Sequence, residues 1–139
     1  MKLKIVSVYF FLLFAFIYKV NGQEAFIGKS KSWIDEHLKE DWKYSESKIS
    51  NSGDLYITYK NKKSTDEMSF YFDSYDNCNQ VIISTYYSNL KSFKSYFDSI
   101  GTSLGFLKWS TNNNEIYVEF NIDYKYLDLL LITIESVNK

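Results

Sequence analysis

The fold is decided by residues 54–105, which read DLYITYKNKKSTDEMSFYFDSYDNCNQVIISTYYSNLKSFKSYFDSIGTSLG. Apolar and polar side chains alternate along residues 55–60 and again along residues 68–73. Residues 81–87 form a third run that is rich in β-branched and aromatic residues. Alternation with a period of two and this composition are both typical of strands. The stretch therefore predicts three consecutive strands.

The turns between these runs predict which side chains lie opposite each other. A slip of one residue would send every core side chain to the other face of the sheet. If residues 61–66 form the first loop, Leu55 pairs with Phe72. If the second turn closes around Asn77, Phe70 pairs with Thr85. Both pairings place the apolar side chains on one common face.

The residues that follow the third run predict an amphipathic helix. Ser88 is a suitable residue to cap its start. Apolar side chains then recur at spacings of three and four, which form one stripe on a helix, at Leu90, Phe93, Phe97, Ile100 and Leu104. Glycine adopts the left-handed conformation of a helix end without a Cβ clash, so we expect the helix to end at Gly105, or else at Gly101.

Regular structure is also predicted on both sides of this central stretch. Upstream, Ser32 is expected to cap a helix with Ile34, Leu38 and Trp42 on one face, followed by a short edge strand over residues 44–50. Downstream, three further strands are expected over residues 106–109, 115–122 and 127–135. The chain is therefore predicted to be an α+β domain, with an antiparallel sheet of six to seven strands and two helices packed on one face.

Residues 1–22 have the pattern of a cleaved signal peptide. Lys2 and Lys4 precede an apolar run over residues 5–17. That run is shorter than the roughly 20 residues needed to cross a bilayer, so no stable membrane insertion is expected after cleavage. The mature protein is predicted to be a single domain, residues 23–139, in a secreted or periplasmic location.

The charge balance argues against nucleic acid as a partner. The chain has 16 lysines, no arginine and 17 acidic residues. Cleavage of the leader removes Lys2, Lys4 and Lys19, which leaves 13 lysines against 17 acids, a net charge of −4. Binding to phosphate backbones requires a basic surface.

Few side chains offer catalytic or metal chemistry. His37 is the only histidine and Cys78 the only cysteine, so an intramolecular disulfide and a zinc site built on Cys/His pairs are excluded. The Asp and Asn residues around Cys78 are typical of a hairpin turn, and no metal or cofactor is predicted. A small hydrolase that uses His37 or carboxylates such as Asp54 and Asp73 is an alternative function.

The sheet face away from the helices is predicted to be aromatic. In the expected register Tyr56 lies beside Tyr71, Tyr86 lies in the adjacent row, and Tyr117 pairs with Ile132 in the last hairpin. Open faces of antiparallel sheets are normally polar, so such a patch indicates a binding surface. We therefore expect a non-enzymatic binding module that recognises a protein, peptide or glycan through this face.

Two other interpretations of the tyrosines stay open. Tyrosine is a good strand residue in any case, because its ring packs on neighbours while its hydroxyl stays hydrated. The exposed face or a sheet edge is also suited to self-association, as in a homodimeric structural protein of the cell envelope. A deep pocket with converging polar groups would favour the hydrolase, whereas a flat aromatic face would favour the binding module.

Overall fold

The computed structural model describes residues 26–38, 40–111, 115–122 and 128–137. The expected signal peptide, residues 1–22, lies outside these residues. Within the described ranges, no helix has the length and apolar character needed to span a membrane.

Two α-helices and eight strands make up the described part of the chain: α1 (Lys31–Leu38), β1 (Trp42–Ile49), β2 (Leu55–Asn61), β3 (Glu67–Phe72), β4 (Cys78–Tyr86), α2 (Leu90–Ile100), β5 (Thr102–Gly105), β6 (Lys108–Thr111), β7 (Ile116–Ile122) and β8 (Leu129–Ser136). The strands form one antiparallel sheet in the order β1-β2-β3-β4-β8-β7-β6-β5. The predicted α+β class is confirmed. The strand count exceeds the predicted six to seven because residues 102–105 form a strand instead of extending α2.

One face of the sheet carries the hydrophobic core. The strand register places five buried side chains in a single row across β2, β3, β4, β8 and β7: Tyr59, Met68, Ile83, Ile132 and Phe120. Each of them is at most 4% exposed. Side chains directly opposite each other lie on the same side of a sheet, so this row defines the core face.

Both helices contact this core face. On α2, the Phe97 ring lies 5.6 Å from the Phe120 ring and 5.9 Å from the Trp109 ring, measured between centroids. On α1, Asp35 accepts a hydrogen bond from the hydroxyl of Tyr59. Full burial of a large apolar side chain contributes about 1.5–3 kcal/mol, so the aromatic contacts are a major part of what holds α2 on the sheet.

The register predicted for the first hairpin is confirmed, and that of the second is wrong. Leu55 lies opposite Phe72 as predicted. Phe70 lies opposite Val81, four residues away from the expected Thr85. The reason is the position of the turn, because Asp73 N donates to the carbonyl of Asn77 at 2.9 Å and so closes the hairpin earlier in the chain. A shift by an even number of residues leaves the faces unchanged.

The register predicted for the last hairpin is also wrong, and here the faces change. Tyr117 lies opposite Glu135, not Ile132, and Val118 lies opposite Ile134. This offset of three residues is odd, so it exchanges the two sides of β8. Ile132 is therefore fully buried on the core face. The connecting residues 123–127 lie outside the described part of the chain.

The ends of the first helix differ from the prediction. Ser30, not Ser32, caps α1, since its Oγ accepts a hydrogen bond from Trp33 N at 3.4 Å. The helix ends at Leu38. Trp42 therefore does not extend the helical stripe but begins the edge strand β1.

The second helix begins later than predicted, and of the two ends offered by the sequence it has the alternative, Gly101, and not Gly105. It begins after a 3₁₀ turn over Tyr87–Asn89, so Ser88 does not cap it. It ends at Ile100, and Gly101 follows in an extended conformation. A Cβ atom on Gly101 would lie only 3.0 Å from the carbonyl oxygen of Ser110, a tight contact, so glycine favours the close approach of β6.

Candidate functional site

Three of the four tyrosines predicted to form a binding surface lie in one row across the face opposite the core. From β1 to β6 this row consists of Lys48, Tyr56, Tyr71, Gln80, Glu135, Tyr117 and Ser110. Both helices contact the core face, on the other side of the sheet. We call it the open face, within the part of the chain that the structure describes.

Tyr56 and Tyr71 form a stacked pair on the open face. Their ring centroids are 4.9 Å apart and their planes differ by 22°. This distance matches the spacing of neighbouring strands, so the rings stand side by side and each covers one face of the other. Partial burial raises the pKa of the Tyr71 hydroxyl, and the neighbouring Tyr56 adds to the effect. The pair is therefore a preformed aromatic ridge.

Polar side chains separate this ridge from the third tyrosine of the row. Gln80 Nε2 donates to Glu135 Oε2 at 3.2 Å across β4 and β8. The Tyr117 hydroxyl contacts Glu119 Oε2 at 3.4 Å, and Glu119 also forms an ion pair of 2.9 Å with Lys108. The Glu119 carboxylate raises the pKa of Lys108. The row is thus a series of paired groups and not a continuous aromatic platform.

Tyr86 lies on the same face but far from the other tyrosines. It is opposite Leu129 at the end of β4, six residues beyond Gln80. At the rise of a strand this separation is about 20 Å. The predicted set therefore does not form a single patch, since Tyr86 lies at a distance and Ile132 is in the core.

An apolar strip that the sequence reasoning missed connects these two regions. It runs along β4 and β8 and consists of Ile82, Tyr86, Leu129 and Leu131, of which Tyr86 is 44% exposed and the others half-buried. The predicted pairing of Tyr117 with Ile132 would place Leu129 and Leu131 on the core face, because neighbouring residues of a strand point to opposite faces. The available signal was that β8 is apolar on both sides, which leaves aliphatic side chains on the open face in any register.

Ion pairs lie on both sides of this apolar strip on the open face. Glu46 lies in the row of Ile82, and Lys60 and Glu67 lie in the row of Leu131. The pairs are Lys48–Glu46 at 2.8 Å, Lys60–Glu67 at 3.0 Å and Lys108–Glu119 at 2.9 Å. An apolar centre with a charged rim is the usual composition of a protein-binding surface.

The groups named for a hydrolase have structural partners. His37 stacks on Trp33 with a centroid distance of 3.6 Å, and its Nδ1 lies 2.8 Å from the Trp33 carbonyl. Asp73 Oδ1 accepts hydrogen bonds from the backbone N–H groups of Tyr75 and Asn77, which form the hairpin turn. Asp54 accepts one from Ser52 Oγ at 2.7 Å. Among the described residues, no group of three or more His, Cys, Asp or Glu is arranged to hold a metal ion.

Cys78 is a core residue. Its side chain is 1% exposed, and Sγ lies 3.5 Å from the carbonyl oxygen of Gln80. Burial raises the pKa of the Cys78 thiol to about 12, and the charge of Asp73 acts in the same direction. A thiol with this pKa is protonated at neutral pH and unreactive.

Comparison with protein-family models, with curated proteins and with solved structures gives no match. What the protein does must therefore be inferred from its own surfaces. Two of them combine aromatic and polar groups: the open face, and a cleft of ≈410 Å³ beside α1.

Proposed function

We propose that the protein is a small exported binding module without catalytic activity that recognises a protein, peptide or glycan through its open face. The observation that carries the proposal is the apolar strip of Ile82, Tyr86, Leu129 and Leu131, which has ion pairs on both sides. The aliphatic centre of this surface favours a protein or peptide as the partner. Export to a secreted or periplasmic location rests on the leader pattern of residues 1–22.

The energetics of burial support a partner on this face. Removing apolar surface from water contributes about 25 cal/mol per Å². Leu129, Leu131 and Ile82 are only half-buried in the folded chain, so part of this contribution is still available to a partner. The stacked Tyr56 and Tyr71 add rings whose geometry is already fixed. Preformed aromatic groups lose little conformational entropy on binding and are common at interface hot spots.

Self-association through a sheet edge is less well supported than binding through the open face. Both edge strands contain a register shift, near Ser45 in β1 and near Leu104 in β5. The edge strand β1 also carries Lys43, Glu46 and Lys48. Bulges and edge charges both oppose pairing with another chain. A homodimer, if it forms, is therefore expected to use the open face.

The experiment that tests the proposal replaces Tyr56 and Tyr71 together by serine. The mature protein is used to capture partners from its native secretions or envelope, beside the wild type and a His37→Ala control on α1. The double variant is expected to keep the circular dichroism spectrum of the folded protein and to lose the partner. The His37→Ala variant should still capture the partner. A folded double variant that retains every partner would contradict the proposal.

A further inference from the structure

The cleft beside α1 lies on the core side of the sheet, at the edge formed by β1 and β2. It is lined by Lys31, Asp35, Leu38, Trp42, Tyr44 and Tyr59 and has a volume of ≈410 Å³. Three of these six side chains are aromatic. This cleft is separate from the open face.

A carboxylate is held in place inside the cleft. Asp35 accepts a hydrogen bond from the hydroxyl of Tyr59, which is 4% exposed, and one from Lys31 Nζ at 2.6 Å. Burial raises the pKa of Tyr59, and the bond to Asp35 raises it further, so the hydroxyl stays protonated and keeps donating. The Asp35 side chain is still 37% exposed and is accessible from the cleft.

Aromatic rings form the walls around this carboxylate. The rings of Tyr44 and Tyr59 are nearly perpendicular, at 82°, with centroids 6.2 Å apart. Trp42 is the third aromatic residue of the lining. Exposed ring faces beside a carboxylate attract organic cations, since the negative faces of the rings and the carboxylate act together. Tyr44 is 53% exposed and can present such a face, whereas Tyr59 is buried and contributes its hydroxyl.

The Lys31 ammonium, which contacts Asp35, is weakly held. Lys31 and Asp35 form an i,i+4 pair on the surface of α1, and the Lys31 side chain is 42% exposed. Exposed pairs of this kind contribute little to stability because water screens them. Another cation can therefore replace the Lys31 ammonium at small cost.

We propose that this cleft binds the alkylammonium group of an organic cation. Asp35 is the counter-ion, Trp42 and Tyr44 contact the cation through their ring faces, and the Lys31 ammonium is displaced. Tyr59 acts as a positioning residue that fixes the Asp35 carboxylate.

The proposal is tested with choline as the probe and 3,3-dimethyl-1-butanol as its uncharged isostere. Binding to the purified protein is followed by NMR through the indole N–H of Trp42. Choline is expected to shift this signal in a saturable manner, and the alcohol is expected to leave it unchanged. Asp35→Asn should weaken choline binding about tenfold, as the loss of a partly exposed charge contact predicts.

Lys31→Met is a second, independent test, because it removes a competing cation without changing the carboxylate. It is expected to strengthen choline binding, whereas His37→Ala, on the same helix but outside the lining, is expected to leave it unchanged. Equal shifts with choline and the neutral alcohol would overturn the proposal. So would unchanged or weaker binding in Lys31→Met, which decides the matter even if Asp35→Asn fails to fold.

Discussion

Phe70 in β3 and Phe97 in α2 are both fully buried between sheet and helices. Replacing either one by alanine is expected to lower the free energy of unfolding by about 3–5 kcal/mol, since the change leaves a cavity in the core. Phe106→Ala is the matched control, because this ring is 85% exposed and its removal should have little effect. Denaturant unfolding of the three variants measures the differences. Equal, small effects at all three positions would contradict the assigned core.

The buried Cys78 thiol makes the stability of the protein depend on pH. Its pKa rises from an ordinary 9.0 to about 12 in the folded state, so folding favours the protonated thiol. This contribution is fully present below pH 9 and is lost as the pH rises from about 9 towards 12. The free energy of unfolding, measured between pH 7 and pH 10.5, should therefore fall above pH 9. The fall should be shallower in Cys78→Ala, and a rise in stability with pH would contradict the assignment.

Single residues also show how far the sequence pattern is informative. The neighbours Tyr56 and Tyr71 were predictable because strict alternation and one short loop fix the register of β2 and β3. Ile132 was assigned to the wrong face because β8 has aliphatic residues on both sides. The hydrophobic pattern of β8 is therefore compatible with burial of either face, and packing against the rest of the core determines which face is buried.

At the scale of elements, the register of β7 and β8 can be tested with an engineered disulfide. Tyr117 and Glu135 lie directly opposite each other, where Cα atoms are about 4.5–5.5 Å apart. This distance is suitable for a disulfide. Cysteines introduced at these two positions should therefore form a bond under mild oxidation, detected by mass spectrometry.

The matched control for this experiment places cysteines at Tyr117 and Ile132, the pair that the sequence pattern had suggested. These side chains lie on opposite faces of the sheet, so no bond should form in the folded protein. Efficient bonding in the control, without bonding of the pair at Tyr117 and Glu135, would show that the register of this hairpin is wrong.

The end of α2 illustrates why the sequence pattern could not decide between two candidate boundaries, Gly101 and Gly105. The apolar stripe continues from Ile100 to Leu104, so local periodicity favours a longer helix. The helix nevertheless ends before Gly101, where the chain passes close to the backbone of Ser110 and pairs with β6 as β5. Gly101 and Ser110 come together only through the pairing of β5 with β6, which the periodicity of the helix does not predict.

For the whole molecule, the α+β class and the helix-covered core followed from periodicity, whereas the surfaces did not. The open face carries no motif, because its character comes from side chains that five or more strands bring into one row. The cleft beside α1 likewise combines residues of a helix and two strands. Such combinations of side chains depend on strand register and packing, so the sequence pattern alone does not predict these surfaces.

The claim that the open face is the binding surface is tested most directly by site-specific photo-crosslinking. A photoreactive phenylalanine analogue is placed at Ile82, at the end of the apolar strip nearest Tyr71, or at Glu36, which is exposed on α1. Crosslinking in the native secretions or envelope should give a discrete adduct at Ile82 and none at Glu36. The adduct at Ile82 should disappear when Tyr56 and Tyr71 are replaced by serine. A folded protein that forms adducts at Glu36 but none at Ile82 would contradict the account.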